Sequence, residues 1–185
     1  MNRARDFYPN CPEPILVKLA KQGDQTAFQQ LVIRHQSNLR SMLRRMANDS
    51  SLADDLAQQT FITSFTKLGN LLDDLAFGAW LRKIAINTWL QHCRKHDVLA
   101  TSITEDELSA GRSDNNAARD IATALAHLGT MERTCVVLSY QEGLSHREIS
   151  DSLELPLGTA KSHIKRGVEK LKHHLTDYEE KTNHD

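Results

Sequence analysis

The stretch EGLSHREISDSLELPLGTAKSH, residues 142–163, decides the fold. Glu142, Gly143 and Leu144 signal a turn, and Ser145 followed three residues later by Glu148 has the pattern of a capping box. In that arrangement a hydroxyl and a carboxylate each satisfy a backbone N–H that the first helical turn leaves without a partner. The helix so started carries Ile149 and Leu153 and stops at Leu155 and Pro156. A second helix restarts at Leu157 and Gly158 and is predicted to reach about residue 175. A short capped helix, a tight turn and a longer helix make a helix-turn-helix.

The longer helix has two unlike faces. At about 100° per residue, Ala160, Ile164, Val168, Leu171 and Leu175 share one side, and Lys161, Ser162, Lys165 and Arg166 cluster on the other. Residues 157–174 hold five Lys and Arg against the single acid Glu169. Such a face suits contact with base edges and phosphates in a DNA groove. A solvated lysine face is the plainer alternative for the helix taken alone. Upstream, Ile121, Leu125 and Leu128 predict a helix over 120–128, ended by Gly129 and Thr130, and a further helix follows over 131–141.

The first half of the chain reads as four more helices. Pro14 opens the first, over 15–22, and Gly23 and Asp24 break it. The second covers 27–48, with Phe28, Leu31, Val32, Leu39, Leu43 and Met46 as its buried stripe. A third is predicted to bury Leu52, Leu56, Phe61, Ile62, Phe65 and Leu68. After a break over 69–78 the fourth spans 79–95, turning Leu81, Ile84, Ala85 and Thr88 inward. That fourth helix is basic and contains no acid. Lys83, Asn87, Gln91 and Arg94 or Lys95 fall on one face, and Asn is a poor former of helix interiors. Cations beside Asn87, Trp80 or Trp89 could hold phosphates and receive or stack an unpaired base. Equally, the tryptophans could be core and Asn87 an ordinary surface residue.

Composition agrees with an all-helical chain. Gly and Pro number 8 and 4 among 185 residues, about half the usual ~12% share, so turns are scarce and the composition argues against an all-β sandwich or barrel. The net charge is −1, which argues against a polycationic nucleic-acid coat but says nothing of local faces. Lys and Arg outnumber Asp and Glu by 13 to 9 over residues 1–97, against 1 to 4 over 98–117 and 9 to 11 over 118–185. The middle stretch is polar, acidic and without helical periodicity, and reads as a linker. The expected organisation is therefore two helical domains, 14–97 and 118–176, joined by an acidic linker over 98–117.

Several classes of function are set aside. No Gly-rich phosphate loop, G-x-S-x-G or H-E-x-x-H motif is present, so neither catalytic residues nor a cofactor are expected. The acid pairs Asp54–Asp55 and Asp73–Asp74 suit caps or solvated charge. Cys93 and His96 have no second ligand pair at a comparable spacing, so no metal is expected. Three scattered cysteines, a polar start and no long apolar run predict a cytoplasmic chain that is not inserted in a membrane.

Five stretches together resemble the extracytoplasmic-function sigma factors of the sigma-70 family, over about residues 15–175. LAKQGDQTAF (19–28) resembles the opening A-x-x-G-D-x-x-A-F, DDLAQQTF (54–61) the E-D-L-V-Q-E-V-F helix, and FGAWLRKIAIN (77–87) the F-x-x-W-L-x-x-I-A-x-N signature. EGLSHREI (142–149) and GTAKSH (158–163) resemble E-G-L-S-x-x-E-I and G-T-V-K-S-R. The resemblance implies a promoter-recognition subunit. Asp55, Gln58 and Gln59 would dock on the clamp helices of the largest core RNA polymerase subunit, and the second domain would meet the flap of the second-largest. Lys83, Asn87, Arg94 and Lys95 would meet the minus-ten element, with Asn87 at a flipped base. Thr159, Lys161, Ser162, His163, Lys165 and Arg166 would face the minus-thirty-five element in the major groove. An anti-sigma factor is the implied regulator. Gln59, Gly129, Ala160 and His163 depart from the family's usual Glu, Pro, Val and Arg. A free-standing helix-turn-helix regulator is the competing reading, and it leaves the Asp55 helix without a role.

Overall fold

The structure, a computed structural model, describes the backbone of residues 8–100 and 116–182 and the side chains of residues 8–96 and 121–174. The described residues contain no strand, and their main helices are α1 Glu13–Lys21, α2 Gln25–Ala47, α3 Ser50–Lys67, α4 Phe77–Ala100, α5 Asn116–Ala126, α6 Thr130–Tyr140, α7 His146–Leu153 and α8 Leu157–Thr182. Two short 3-10 turns, Leu68–Asn70 and Asp74–Ala76, connect α3 to α4. Most of the predicted linker, residues 101–115, lies outside the described residues. Its first three and last two residues are helical, the ends of α4 and α5.

Helix starts follow from local chemistry. The Asp24 carboxylate accepts from the Thr26 and Ala27 amides at 2.9 and 3.0 Å, and Asp49 does the same for Ser51 and Leu52. α2 ends at Asn48 in the left-handed region, φ 56°, a conformation that Asn tolerates. The capping box forms as read. The Glu148 amide donates to Ser145 Oγ at 3.2 Å, and the Ser145 amide donates to Glu148 Oε2 at 2.8 Å.

The first unit packs α1 to α4 together. Leu16, Val17, Leu31, Phe77 and Leu81 form one core at the α1 end. At the other end Leu39, Met42, Leu43, Leu56, Ile86 and Trp89 belong to a second core, and that core continues without a break into Leu128, Val137, Leu138, Ile149 and Leu153 of the second unit. The two units thus meet along a shared apolar seam. Buried polar contacts cross it: Trp89 Nε1 donates to Thr134 Oγ1 at 3.0 Å and Arg133 Nε donates to the Met46 carbonyl at 2.8 Å.

Two predicted stripes need correction. In α3 the buried residues are Ala53, Leu56, Ala57, Thr60 and Ser64, whereas Ile62 and Phe65 are 52% and 47% exposed. Small side chains let α3 lie close to its neighbours, so steric fit and not hydrophobicity selects the inward face. Thr60 and Ser64 tolerate burial because their hydroxyls donate to the Leu56 and Phe61 carbonyls. In α2, Met42 is buried while Phe28 and Val32 are only half-buried.

Candidate nucleic-acid interface

α4 buries Leu81, Ile84, Ala85, Ile86, Trp89 and Leu90. That leaves Lys83, Asn87, Gln91, Arg94 and Lys95 exposed along the opposite side, one cationic line three to four residues apart. Trp89 is 3% exposed and bonded to Thr134, so it is core and unable to stack a base. Trp80 is half-buried against Phe77, with ring centroids 5.9 Å apart. Between α3 and α4 runs a polar cleft of about 520 Å³ lined by Asn87, Gln91, Arg94, Gln59, Thr63 and Lys67, among others, and bordered by Glu154. Asn87 and Gln59, assigned by resemblance to different partners, therefore open onto the same cleft.

The outward side of α3 carries Asp55, Gln58 and Gln59, all exposed, and continues into Ile62 and Phe65. Residues 55, 58, 59, 62 and 65 share one side of a 3.6-residue helix. Sequence reading assigned the last two to the core because α3 has apolar residues on both sides. The signal that separates them is the run Ala53, Ala57, Thr60 and Ser64, a line of small residues at helical spacing.

In the second unit α7 leads into the turn, where Glu154 takes φ 55° and the Ser150 hydroxyl donates to the Leu155 carbonyl at 2.6 Å. α8 then buries Ala160 and Ile164 and presents Lys161, Ser162, Lys165 and Arg166 to the outside, with Thr159 and His163 half-buried beside them. Gly167 faces Val136 of α6 so closely that an added Cβ would lie 2.6 Å from Val136 Cγ2. The helix that carries the basic face is thereby drawn tightly against its support.

The six polar residues of this face are not equivalent. The Ser162 hydroxyl donates back to the Gly158 carbonyl at 2.8 Å. Lys165 lies 3.9 Å from Glu169, and Lys161 pairs with no carboxylate among the described residues. Arg166 is held from below: its Nε is 3.3 Å from Glu132 Oε1, and its Nη2 is 3.2 Å from His163 Nδ1. Glu132 also takes Lys170 Nζ at 2.7 Å. Lys170, then the Gly129 amide and Arg166, hold the Glu132 carboxyl below its ordinary range despite the opposing effect of burial. Burial, followed by the Arg166 charge, pushes the His163 imidazole down, so it is neutral at pH 7 and accepts from Arg166.

Two carboxylates of the second unit reach the basic helix of the first. Arg94 Nη2 lies 2.9 Å from Glu154 Oε2, and Arg82 Nη1 lies 3.3 Å from Glu142 Oε2. Among the described residues no group of three or more His, Cys, Asp or Glu side chains could hold a metal ion, and no helix is long and apolar enough to cross a membrane.

Two family descriptions match the chain, Sigma-70 region 2 over residues 31–98 and Sigma-70 region 4 over 118–171. The RNA polymerase sigma-H factor of Pseudomonas aeruginosa is 31% identical over 174 residues, covering 84% of this chain and 90% of that one. The RNA polymerase sigma factor CarQ of Myxococcus xanthus is 33% identical over 165 residues, covering 86% and 95%. Among solved structures, CnrH in complex with the cytosolic domain of CnrY matches with a TM-score of 0.61 at 28% identity, covering 89% of this chain and 97% of that one.

Proposed function

The chain belongs to the sigma-70 family of RNA polymerase sigma factors, in its extracytoplasmic-function group, and from that premise we propose how its surfaces divide the work of promoter recognition. The observation that carries the proposal is the pair of exposed cationic helix faces, one on each unit, each lying within a region matched to the family.

The outward side of α3, with Asp55, Gln58 and Gln59, docks on the clamp helices of the polymerase, and Ile62 and Phe65 extend that contact as its apolar part. Aromatic and apolar anchors ringed by polar groups are the usual energetic centre of a protein interface. On α4, Lys83, Arg94 and Lys95 hold the phosphates of the minus-ten element, and Asn87, at the mouth of the polar cleft, receives an unstacked base. An exposed amide can both donate and accept, which suits the edge of a base.

On α8, Lys161, Ser162 and Lys165 meet the minus-thirty-five duplex, with Thr159 and His163 at the margin. Arg166 reaches the same duplex from a position fixed by Glu132. No bond is made or broken in these steps. Binding energy is spent on positioning the promoter and on capturing one melted strand.

The chain works where the polymerase is, in the cytoplasm. Its region organisation, 14–97 and 118–176, gives each DNA element a cationic face of its own. CnrH was solved with the cytosolic domain of CnrY bound, and we place this chain under comparable control by an anti-sigma protein that covers its polymerase-binding surface. Run-off transcription with core polymerase on promoter templates tests the reading. Promoter-dependent transcripts that vanish without the chain are expected. Duplex binding by the chain alone, with neither core binding nor transcripts, would make it a free-standing regulator instead.

A further inference from the structure

His163 and Arg166 stand one helical turn apart on α8, and the ring meets the guanidinium: Arg166 Nη2 lies 3.2 Å from His163 Nδ1. Arginine has N–H donors and no acceptor, so the contact forms only when this imidazole nitrogen carries no hydrogen and accepts. The ring is therefore neutral, with its proton on Nε2. A second hold comes from α6, where Glu132 Oε1 lies 3.3 Å from Arg166 Nε. Nε and Nη2 form one edge of the planar guanidinium, and both are taken. What remains is Nη1 with the second N–H of Nη2, on a side chain that is 54% exposed. That free fork fits the O6 and N7 acceptors of a guanine in a major groove.

A single proton breaks this brace. Uptake on Nδ1 removes the acceptor and sets two cations 3.2 Å apart. Burial and the Arg166 charge hold the ring against that proton, and Glu132 works the other way. Glu132 itself stays ionised wherever a histidine titrates, because its carboxyl is held below the ordinary value. α7, which also packs on α8, carries His146, Arg147, Glu148 and Asp151, all exposed and screened by water. α5 places His127 against His174, further along α8.

We propose that His163 is a positioning residue for Arg166: while the ring is neutral it aims the free fork at a base of the minus-thirty-five element, and on taking up a proton it releases the guanidinium. The inference rests on the sigma-factor reading above and deepens it, since discrimination among minus-thirty-five sequences then depends on pH. The family's usual arginine at this position has no acceptor to offer, so the brace is a property of this chain. Two simple roles for His163 carry opposite signs. A histidine that held a phosphate would bind DNA more tightly as acid charged it, whereas a brace lets go. Lys161 and Lys165 keep their charge throughout, so acid removes selectivity and leaves their phosphate contacts in place.

The test uses the full-length chain assembled with core polymerase, on a promoter fragment that this complex selects from a pool randomised over the minus-thirty-five element. Each base pair of the element is then substituted, and parent and substituted fragments compete in one tube between about pH 7.5 and about pH 5.5, the span in which an imidazole titrates. The ratio cancels whatever acid does to the polymerase. The pair read by Arg166 is the one that R166A ceases to discriminate. There, wild type is expected to lose about threefold or more of its discrimination on acidification, and H163A to show the lower value at every pH. H163N keeps an acceptor near the place of Nδ1 and does not titrate, so it is expected to stay within about twofold of neutral wild type throughout. It also retains His127, His173 and His174, so a pH effect that it lacks belongs to residue 163. Discrimination by H163A equal to that of wild type overturns the inference, as does wild-type binding that tightens in acid with its discrimination unchanged. Failure of H163N to restore what H163A loses makes the ring a packing residue and overturns it too, as does an R166A chain that discriminates at every pair. Each of these leaves the sigma-factor reading intact. Absence of promoter-dependent binding by the assembled complex overturns that reading instead, and this inference with it.

Discussion

Glu132 holds Arg166: the carboxylate of α6, only 11% exposed, lies 3.3 Å from the guanidinium Nε on α8 and also takes Lys170 at 2.7 Å. A residue outside the exposed basic face therefore sets where one of its cations points. Replacement by Gln in E132Q keeps the shape but leaves Lys170 and Arg166 without a charged partner, at an expected cost of ~1–2 kcal/mol. Because the Glu132 carboxyl is depressed in the folded chain, its contribution is present above the ordinary carboxyl value of 4.5 and is lost as pH falls through the lower folded value. Urea denaturation of wild type should thus weaken below about pH 4.5, with a shallower acid loss in E132Q.

Lys161 and Arg166 are expected to separate in salt titrations of minus-thirty-five duplex binding. K161A should lower the slope of log K against log salt by about one and leave thermal stability within ±0.5 kcal/mol. R166A should lower the slope as well but also destabilise the second unit, because it strips Glu132 of a partner. Identical melting of the two variants would contradict the asymmetry seen in the structure.

Asn87 is exposed on α4 at the mouth of the α3–α4 cleft. N87A is expected to retain core polymerase binding and folding while open-complex formation, followed by permanganate reactivity of unpaired thymines, falls by about tenfold, near the 1–3 kcal/mol of one lost base contact. Equal losses in core binding and melting would make Asn87 a structural residue.

Ile62 tests the outward side of α3. Its half-exposed side chain contributes little to the fold, so I62E should leave the melting temperature nearly unchanged. Affinity for core polymerase, read by fluorescence anisotropy, should drop by roughly 1–2 kcal/mol, as when an apolar interface anchor is replaced by a charge. A tight I62E complex would restrict the docking face to Asp55, Gln58 and Gln59.

Gly167 is an interior helix position where Ala would ordinarily gain about 1 kcal/mol in propensity. Here the added methyl meets stiff Val136 at 2.6 Å and Leu128 at 3.2 Å. Overpacking outweighs propensity, and G167A should destabilise by ~1–2 kcal/mol. A calorimetric melting temperature lower by several degrees would record it.

The helix-turn-helix was legible from sequence because each of its features has a local cause: Ser145 and Glu148 cap one another, Pro156 stops a helix, and Ala160 and Ile164 recur at the period of a buried face. The exposed positions of Lys83, Asn87, Lys161 and Lys165 followed from the same periodicity. α3 misled it because a buried Ala or Ser advertises no hydrophobicity, and Ile62 and Phe65 therefore drew the stripe to the wrong side. The seam was illegible for a different reason. Trp89 and Thr134 are distant in sequence, and Arg133 is a cation whose burial depends on the carbonyl ends of two helices that no local pattern brings together. Nor could Glu132 be foreseen beneath Arg166, since their pairing exists only once α6 and α8 have packed through Gly167.

The two tryptophans turn the seam into an optical gauge. Trp80 packs within the first unit, against Phe77, whereas Trp89 lies on the seam with its indole nitrogen 3.0 Å from Thr134 Oγ1 of the second. Any event that parts the units wets one indole and spares the other. Emission from the unlabelled chain should therefore shift to the red as the units separate, with W80F isolating the reporting ring, so that loss of the seam in rising urea can be followed in the native protein by its own fluorescence.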